Sequence, residues 1–125
     1  MVYYIYTWGS KVGLSPLSTN SAYSFVSVTV GYSSTVAAIR ADGSLWTWGA
    51  NGQAQLGTLD LINRSSPTQV AGGGSWSQVS MGYKHTLGIK TDGTLWGWGT
   101  VVQGEIGTGI GTVNYSSPVQ IGSLN

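Results

Sequence analysis

The chain has 125 residues, a formal net charge of +1, 7% charged side chains and no cysteine. That length bounds it to one domain. The charge offers nothing to a nucleic-acid backbone or an anionic membrane, and the missing cysteine excludes disulfides and thiolate metal sites. Six tryptophans, seven tyrosines and twenty glycines against three prolines favour packed β structure over disorder. The opening MVYYIYTWGS has no basic stretch ahead of an apolar core, so no signal peptide is expected. Nothing approaches the roughly eighteen-residue apolar run of a membrane helix. The expectation is a soluble protein, or a soluble part of an assembly, with its localisation open.

In chain order, residues 2–6 (VYYIY) read as an apolar, uncharged strand, and 4–9 (YIYTWG) as a worn copy of a motif that returns twice. The first full copy is 41–49 (ADGSLWTWG) and the second 91–99 (TDGTLWGWG), fifty residues on. Asp42-Gly43 and Asp92-Gly93 suit type I′ hairpin turns. After each turn the chain alternates. Leu45, Thr47 and Gly49 point one way, Trp46 and Trp48 the other. Residues 52–57 (GQAQLG) return as 103–107 (QGEIG), and Ser65-Ser66-Pro67 as Ser116-Ser117-Pro118. Val28 to Tyr32 resembles Val79 to Tyr83, with Phe25 and Trp76 each three residues ahead of the valine. One extra residue between Gly31 and Asp42 predicts a small bulge near Val36-Ala37. Residues 59–62 are either one helical turn or a loop.

One unit therefore reads as strand 76–81, strand 86–90, Asp-Gly turn, strand 94–99, a long Gly-rich loop, and a short strand 119–121. Four short antiparallel strands at a fixed period, with no helical pattern, predict an all-β fold of propeller blades. The predicted organisation is a partial repeat over 1–24, a repeat over 25–75 and a repeat over 76–125.

These residues resemble the regulator-of-chromosome-condensation repeat family. The second unit carries the resemblance at Val79, Gly82, His85-Thr86, Ile89, Asp92-Gly93, Leu95-Trp96, Trp98-Gly99, Gly104, Ile106-Gly107 and Pro118. The first carries it at Gly31, Ile39, Asp42-Gly43, Leu45-Trp46, Trp48-Gly49, Asn51, Gln55-Leu56-Gly57 and Pro67, with Ser34-Thr35 where the family has His-Thr. The resemblance covers nearly the whole chain. It implies a seven-bladed propeller and leaves the function open. The light-sensing motif of the family's plant photoreceptor is not matched, because Tyr83 stands where its tryptophan would be.

A seven-bladed ring at this period needs about 350 residues. The chain holds two full units and a fragment, so the expected architecture is a partial propeller of two to three four-stranded antiparallel blades. Its open edges call for cover, because apolar unpaired strands invite pairing. The predicted interaction edge is Val2, Tyr3, Tyr4, Ile5, Tyr6, Trp8, Val119 and Ile121. The expected cover is a copy of the chain or a larger particle, with a phage virion (capsid decoration or tail) as the expected placement.

No catalytic site is expected. His85 is the single histidine and reads as structural. Asp42 and Asp92 are turn residues, while Asp60 and Glu105 lie in separate loops without the spacing of a carboxylate pair. No serine sits in Gly-x-Ser-x-Gly. Gly72-Gly73-Gly74 precedes a strand rather than a helix, so it is no phosphate cradle. Cofactor and metal sites are expected to be absent. Trp46, Trp48, Trp96 and Trp98 occupy repeat positions and read as core. The candidate binding residues are in polar loops: Asn51, Gln53, Gln55, Asn63, Arg64, Asn114 and Tyr115. The alternative function is therefore a glycan-binding adhesin or lectin-like module that uses those loops.

Overall fold

The computed structural model describes residues 24–109 and 112–122. Two four-stranded antiparallel sheets follow one another along the chain. The first holds β1 (Phe25–Gly31), β2 (Thr35–Arg40), β3 (Leu45–Gly49) and β4 (Arg64–Gln69). The second holds β5 (Trp76–Met81), β6 (His85–Lys90), β7 (Leu95–Val101) and β8 (Val113–Ile121). Each sheet is a plain meander in chain order, the form of a propeller blade. No helix occurs among the described residues, and 59–62 is loop.

The two blades are the same object with small edits. Val36 pairs with Trp48 and Ile39 with Leu45, just as Thr86 pairs with Trp98 and Ile89 with Leu95. Each first strand slips register two residues in, between Phe25 and Ser27 and between Trp76 and Gln78. Each third strand slips again at its Trp-Gly end. Bulges there bend the sheet's edges and add twist.

Three expectations need correction. The extra residue of the first blade sits in the β1–β2 turn, not near Val36-Ala37. Tyr32, Ser33 and Ser34 span that turn, with Ser33 and Ser34 at φ 63° and 58°. The Thr35 hydroxyl closes it by donating to the Tyr32 carbonyl at 3.0 Å. A turn absorbs a residue without breaking the ladder, whereas a bulge between two central strands would break it. Consequently Thr35-Val36, not Ser34-Thr35, stands where the second blade has His85-Thr86.

The Asp-Gly turns are also not two-residue type I′ turns. Gly43 N–H donates to the Arg40 carbonyl, and only Gly43, not Asp42, has positive φ. That is a type I turn closed by a left-handed glycine, the usual three-residue hairpin. Gly93 repeats it. Finally, β8 begins at Val113, well ahead of the predicted 119, so Asn114 and Tyr115 lie in a strand rather than a loop.

The core lies between the blades. Ala37, Ile39, Leu45 and Val70 of the first blade meet Trp76 and Trp98 of the second. Trp76 and Trp98 pack edge to face, with centroids 5.6 Å apart. Burying a side chain of this size contributes on the order of 3 kcal/mol.

Candidate interaction surface

Each hairpin turn is locked by a relay that begins in the repeat motif. Asp42 Oδ1 accepts from the Ser44 backbone N–H at 2.9 Å and from its hydroxyl at 2.6 Å. The Ser44 hydroxyl oxygen then accepts from Trp46 Nε1 at 2.8 Å. Asp92, Thr94 and Trp96 repeat the relay at the same distances. Arg40 stacks on Trp46 and Lys90 on Trp96, at 3.6 and 3.9 Å from the ring centroids. Motif D-G-[S/T]-L-W is thus a turn, a latch and a pinned indole in one stretch.

One main-chain oxygen at the seam between blades takes two side-chain donors. The loop after β3 curls back so that the Gln55 carbonyl accepts from Trp98 Nε1 at 3.0 Å and from the Thr86 hydroxyl at 2.8 Å. Two donors use both lone pairs of one carbonyl. Gly57 lies flat against the Trp98 indole, where any Cβ would collide with Nε1. Gln53 accepts from the Thr100 hydroxyl, and Leu59 N–H donates to the Ser116 carbonyl at 2.8 Å. Asn51 holds this loop in shape. Fully buried, it donates to the Asp60 carbonyl and accepts from Leu56 N–H at 3.0 Å.

Pairing alternation gives each blade two unlike faces. The first blade turns Thr29, Ala37, Ile39, Leu45 and Thr47 toward the second. The second meets it with Trp76, Val79, Met81, Thr86, Trp96 and Trp98. The opposite face of the first blade carries the positions equivalent to that second set: Phe25, Val28, Val30, Val36, Trp46 and Trp48. The opposite face of the second blade carries the equivalents of the first set, including Leu87, Ile89 and Leu95. Cover differs sharply between equivalents. Leu45 is 1% exposed and Leu95 37%. Val28 and Val30 are 50% and 70% exposed, while their equivalents Val79 and Met81 are half-buried.

Residues 42–89 match the family model of the regulator of chromosome condensation (RCC1) repeat. That stretch is similar to an RCC1 repeat. The matched stretch runs from the hairpin turn of the first blade to β6 of the second, so it spans the seam. Human WBSCR16 is similar in structure, at a TM-score of 0.68 and 22% identity over 78% of this chain and 25% of that one. Prp20p from Saccharomyces cerevisiae gives 0.67 and 19% over 78% and 25%. Yeast RCC1 (Prp20) in its structure with Kap60 gives 0.67 and 19% over 80% and 26%. The chain spans about a quarter of the length of these structures. No curated protein matches it. The two sheets are RCC1-like propeller blades.

On these RCC1-like blades the predicted residues fall into three groups. Val2, Tyr3, Tyr4, Ile5, Tyr6 and Trp8 lie outside the described residues. Val119 and Ile121 stand on β8, the last strand of the second sheet, paired with Gly97 and Leu95. Both are half-buried, and Ile121 packs over Gly97 and Gly107 on the uncovered face. Among the loop candidates, Asn51 and Gln55 are buried, and both hold loop structure. Gln55 Oε1 accepts from Gln53 N–H at 2.8 Å. Asn63 accepts from Asn51 N–H, and Arg64 pairs with Asp60. Asn114 is exposed on β8, while Tyr115 packs against the core. A shallow cleft of about 350 Å³ lies where the blades meet, lined by Ser33, Ala50, Gly52, Gln53, Gln55, Tyr83 and Lys84.

Charge is sparse and local. The Ser44 hydroxyl, then its N–H, holds the Asp42 carboxyl below the ordinary aspartate value, and Thr94 does the same for Asp92. The Gln103 N–H lowers Glu105, and the Ile62 N–H, with Arg64, lowers Asp60. Among the described residues no three His, Asp or Glu side chains gather as a metal site. Sequence reasoning missed the Gln55 carbonyl, because a backbone acceptor leaves no residue-type signal. It also missed the Ser44 and Thr94 latches, although a hydroxyl residue two places after the aspartate in both copies was there to be read.

Proposed function

We propose that this chain is a non-catalytic structural or interaction protein whose uncovered blade faces are its working surfaces. The observation that carries this reading is the difference in cover between equivalent apolar positions, above all Leu45 against Leu95. Apolar sheet faces without a neighbour mark association sites. The fold agrees with such a role, since Prp20p binds Gsp1p and histones and protein partners are therefore within its repertoire. The finer reading is that the chain joins copies of itself or docks on a larger particle, with a phage capsid or tail as the placement. What supports this is low charge and loops rich in Gly, Ser, Thr and Asn. The test is a photo-crosslinking residue at Val30 or at Leu95, introduced in the organism that carries the gene. Discrete adducts at either face, with none from exposed Ser66 on β4, support it. No adduct from either face sinks it.

A second reading is glycan binding at the cleft. Tyr83 lines it, with the Tyr32 ring tilted against it at 4.7 Å and 46°, and the two are 54% and 69% exposed. Aromatic faces beside amide groups suit sugars. Binding to a glycan array that Tyr83→Ala abolishes would support this, and a blank array would remove it.

A further inference from the structure

We infer that the occupant of the uncovered faces is a second copy of this chain, stacked head to tail, with Trp48 of one copy seated on the loop 103–107 of the next. This rests on the interaction reading above and names its partner.

The joint already exists once inside the molecule. Its acceptor half is the loop ending in Gln55-Leu56-Gly57, and its donor half is Trp98 with Thr86. The second blade carries another acceptor half, Glu105-Ile106-Gly107, at the same spacing. Ile106 is buried as Leu56 is, and Gly107 has φ 69°, the value of Gly57. The first blade carries another donor half, Trp48, paired across to Val36 as Trp98 is to Thr86. Among the described residues no hydrogen-bond partner is found for Trp48 Nε1, and the Glu105 carbonyl has no donor. The outer faces of the two described blades therefore carry complementary halves.

The apolar contacts map across in the same way. Met81 of the second blade packs on Gly31 of the first, so Val30 of one copy would pack on Gly82 of the next. Trp76 packs in one cluster with Leu45, so Phe25 of one copy would meet Leu95 of the other. Of these positions Val30 and Leu95 are exposed, and Phe25 and Gly82 are half-buried. The only acid in the mapped contact is Glu105, through its main chain, and a net charge of +1 gives copies little reason to repel. Two differences weaken the joint between copies, the first being that Ala50 stands where Thr100 donates to Gln53. The second is that Val36 stands where Thr86 donates, so only one of the two hydrogen bonds to the loop carbonyl can form. The association is thus weaker than the internal seam and concentration-dependent. A contact between unlike faces propagates into a closed ring or an open string.

The test uses the whole chain and two blocked variants. Val30→Glu disables the donor face and Leu95→Lys the acceptor face. Both positions are exposed, and matching circular dichroism with wild type confirms folding. Val28→Lys replaces the first variant if it fails that check. In sedimentation velocity, wild type should rise above 13.1 kDa in whole multiples as concentration increases. Each variant alone should stay a single chain, and an equimolar mixture should double in mass and stop there. A wild type that stays single overturns the inference, as does a mixture that does not double, or a single variant that dimerises. If residues 1–23 of the same chain cover the donor face, wild type stays single. If a different protein is the occupant, the crosslinked adducts contain that protein and not this chain. That result sinks the self-association but leaves the interaction reading standing.

Discussion

Trp48 and Trp98 occupy the same place in two blades, fifty residues apart, and live different lives. Trp98 is wholly buried, with its N–H bound to the Gln55 carbonyl. Trp48 is half-buried on a face where Val28 and Val30 meet solvent. Nothing in the strand itself separates them. The neighbour does. The loops after β3 and β7 make a second contrast. In the first, buried Asn51 ties Asp60, Thr58 and Leu56 together. In the second, Val101 stands at that place, and the buried Thr108 hydroxyl has no partner among the described residues. A repeat can thus keep its strands while losing the organiser of a loop.

The largest expected effect lies in the first contrast. Trp98→Ala should cost about 3–5 kcal/mol in chemical denaturation, as for large buried aromatics. Trp48→Ala, measured at concentrations too low for association, should cost well under half of that. Equal costs would mean that the seam is not where the stability resides. Next comes Asn51→Val, which copies the second loop into the first. It leaves the buried Leu56 N–H and Thr47-side loop without their organiser, at about 2–3 kcal/mol. Amide exchange should quicken across residues 52–63 and little elsewhere; an unchanged loop would show that Asn51 is not its organiser. Thr86→Val brings the seam to the chemistry of Val36 in the first blade. With Trp98 still bonded to Gln55, the loss should be about 1 kcal/mol.

The smallest effect tests where the blades agree. Asp42 and Asp92 are both held below the ordinary value of 3.8 by the Ser44 and Thr94 hydroxyls. The folded chain then binds fewer protons than the unfolded one in acid. Their contribution is complete above that ordinary value and fades as pH falls through it toward the folded values. Asp42→Ala and Asp92→Ala should each flatten the acid limb of the stability curve by the same small amount. Unequal flattening would show that the two latches are not the same device.

Much of this was legible from residues alone. The fifty-residue offset, the alternation of Leu45 and Trp46, and the strand at Trp76–Met81 all follow from pattern, because side-chain period and turn chemistry leave marks in residue types. The hidden parts are those decided by backbone atoms or by a neighbour. The Gln55 carbonyl could have been offered by any residue. Type I and type I′ turns both welcome Asp-Gly, and they differ in whether the aspartate or only the glycine adopts positive φ. The extra residue near Ser33 was visible as a count, but only the ladder says which gap absorbs it. Asn51 looked like a surface ligand candidate because it is polar and in a loop, yet buried amides are often a loop's own scaffolding.

The Gln55 carbonyl has a consequence for how such chains can drift. Every amino acid brings an identical oxygen to that place, so no substitution at 55 can delete the acceptor. Glu105 already demonstrates the freedom at the matching position. The fastening is therefore half immune to mutation and half dependent on an indole and a hydroxyl. Random change can erode loops and outer strands while the joint keeps its geometry, as when blades share a shape at 19–22% identity. Lineages of such repeats should diverge faster at the position of Gln55 than at Gly57 or at the tryptophan.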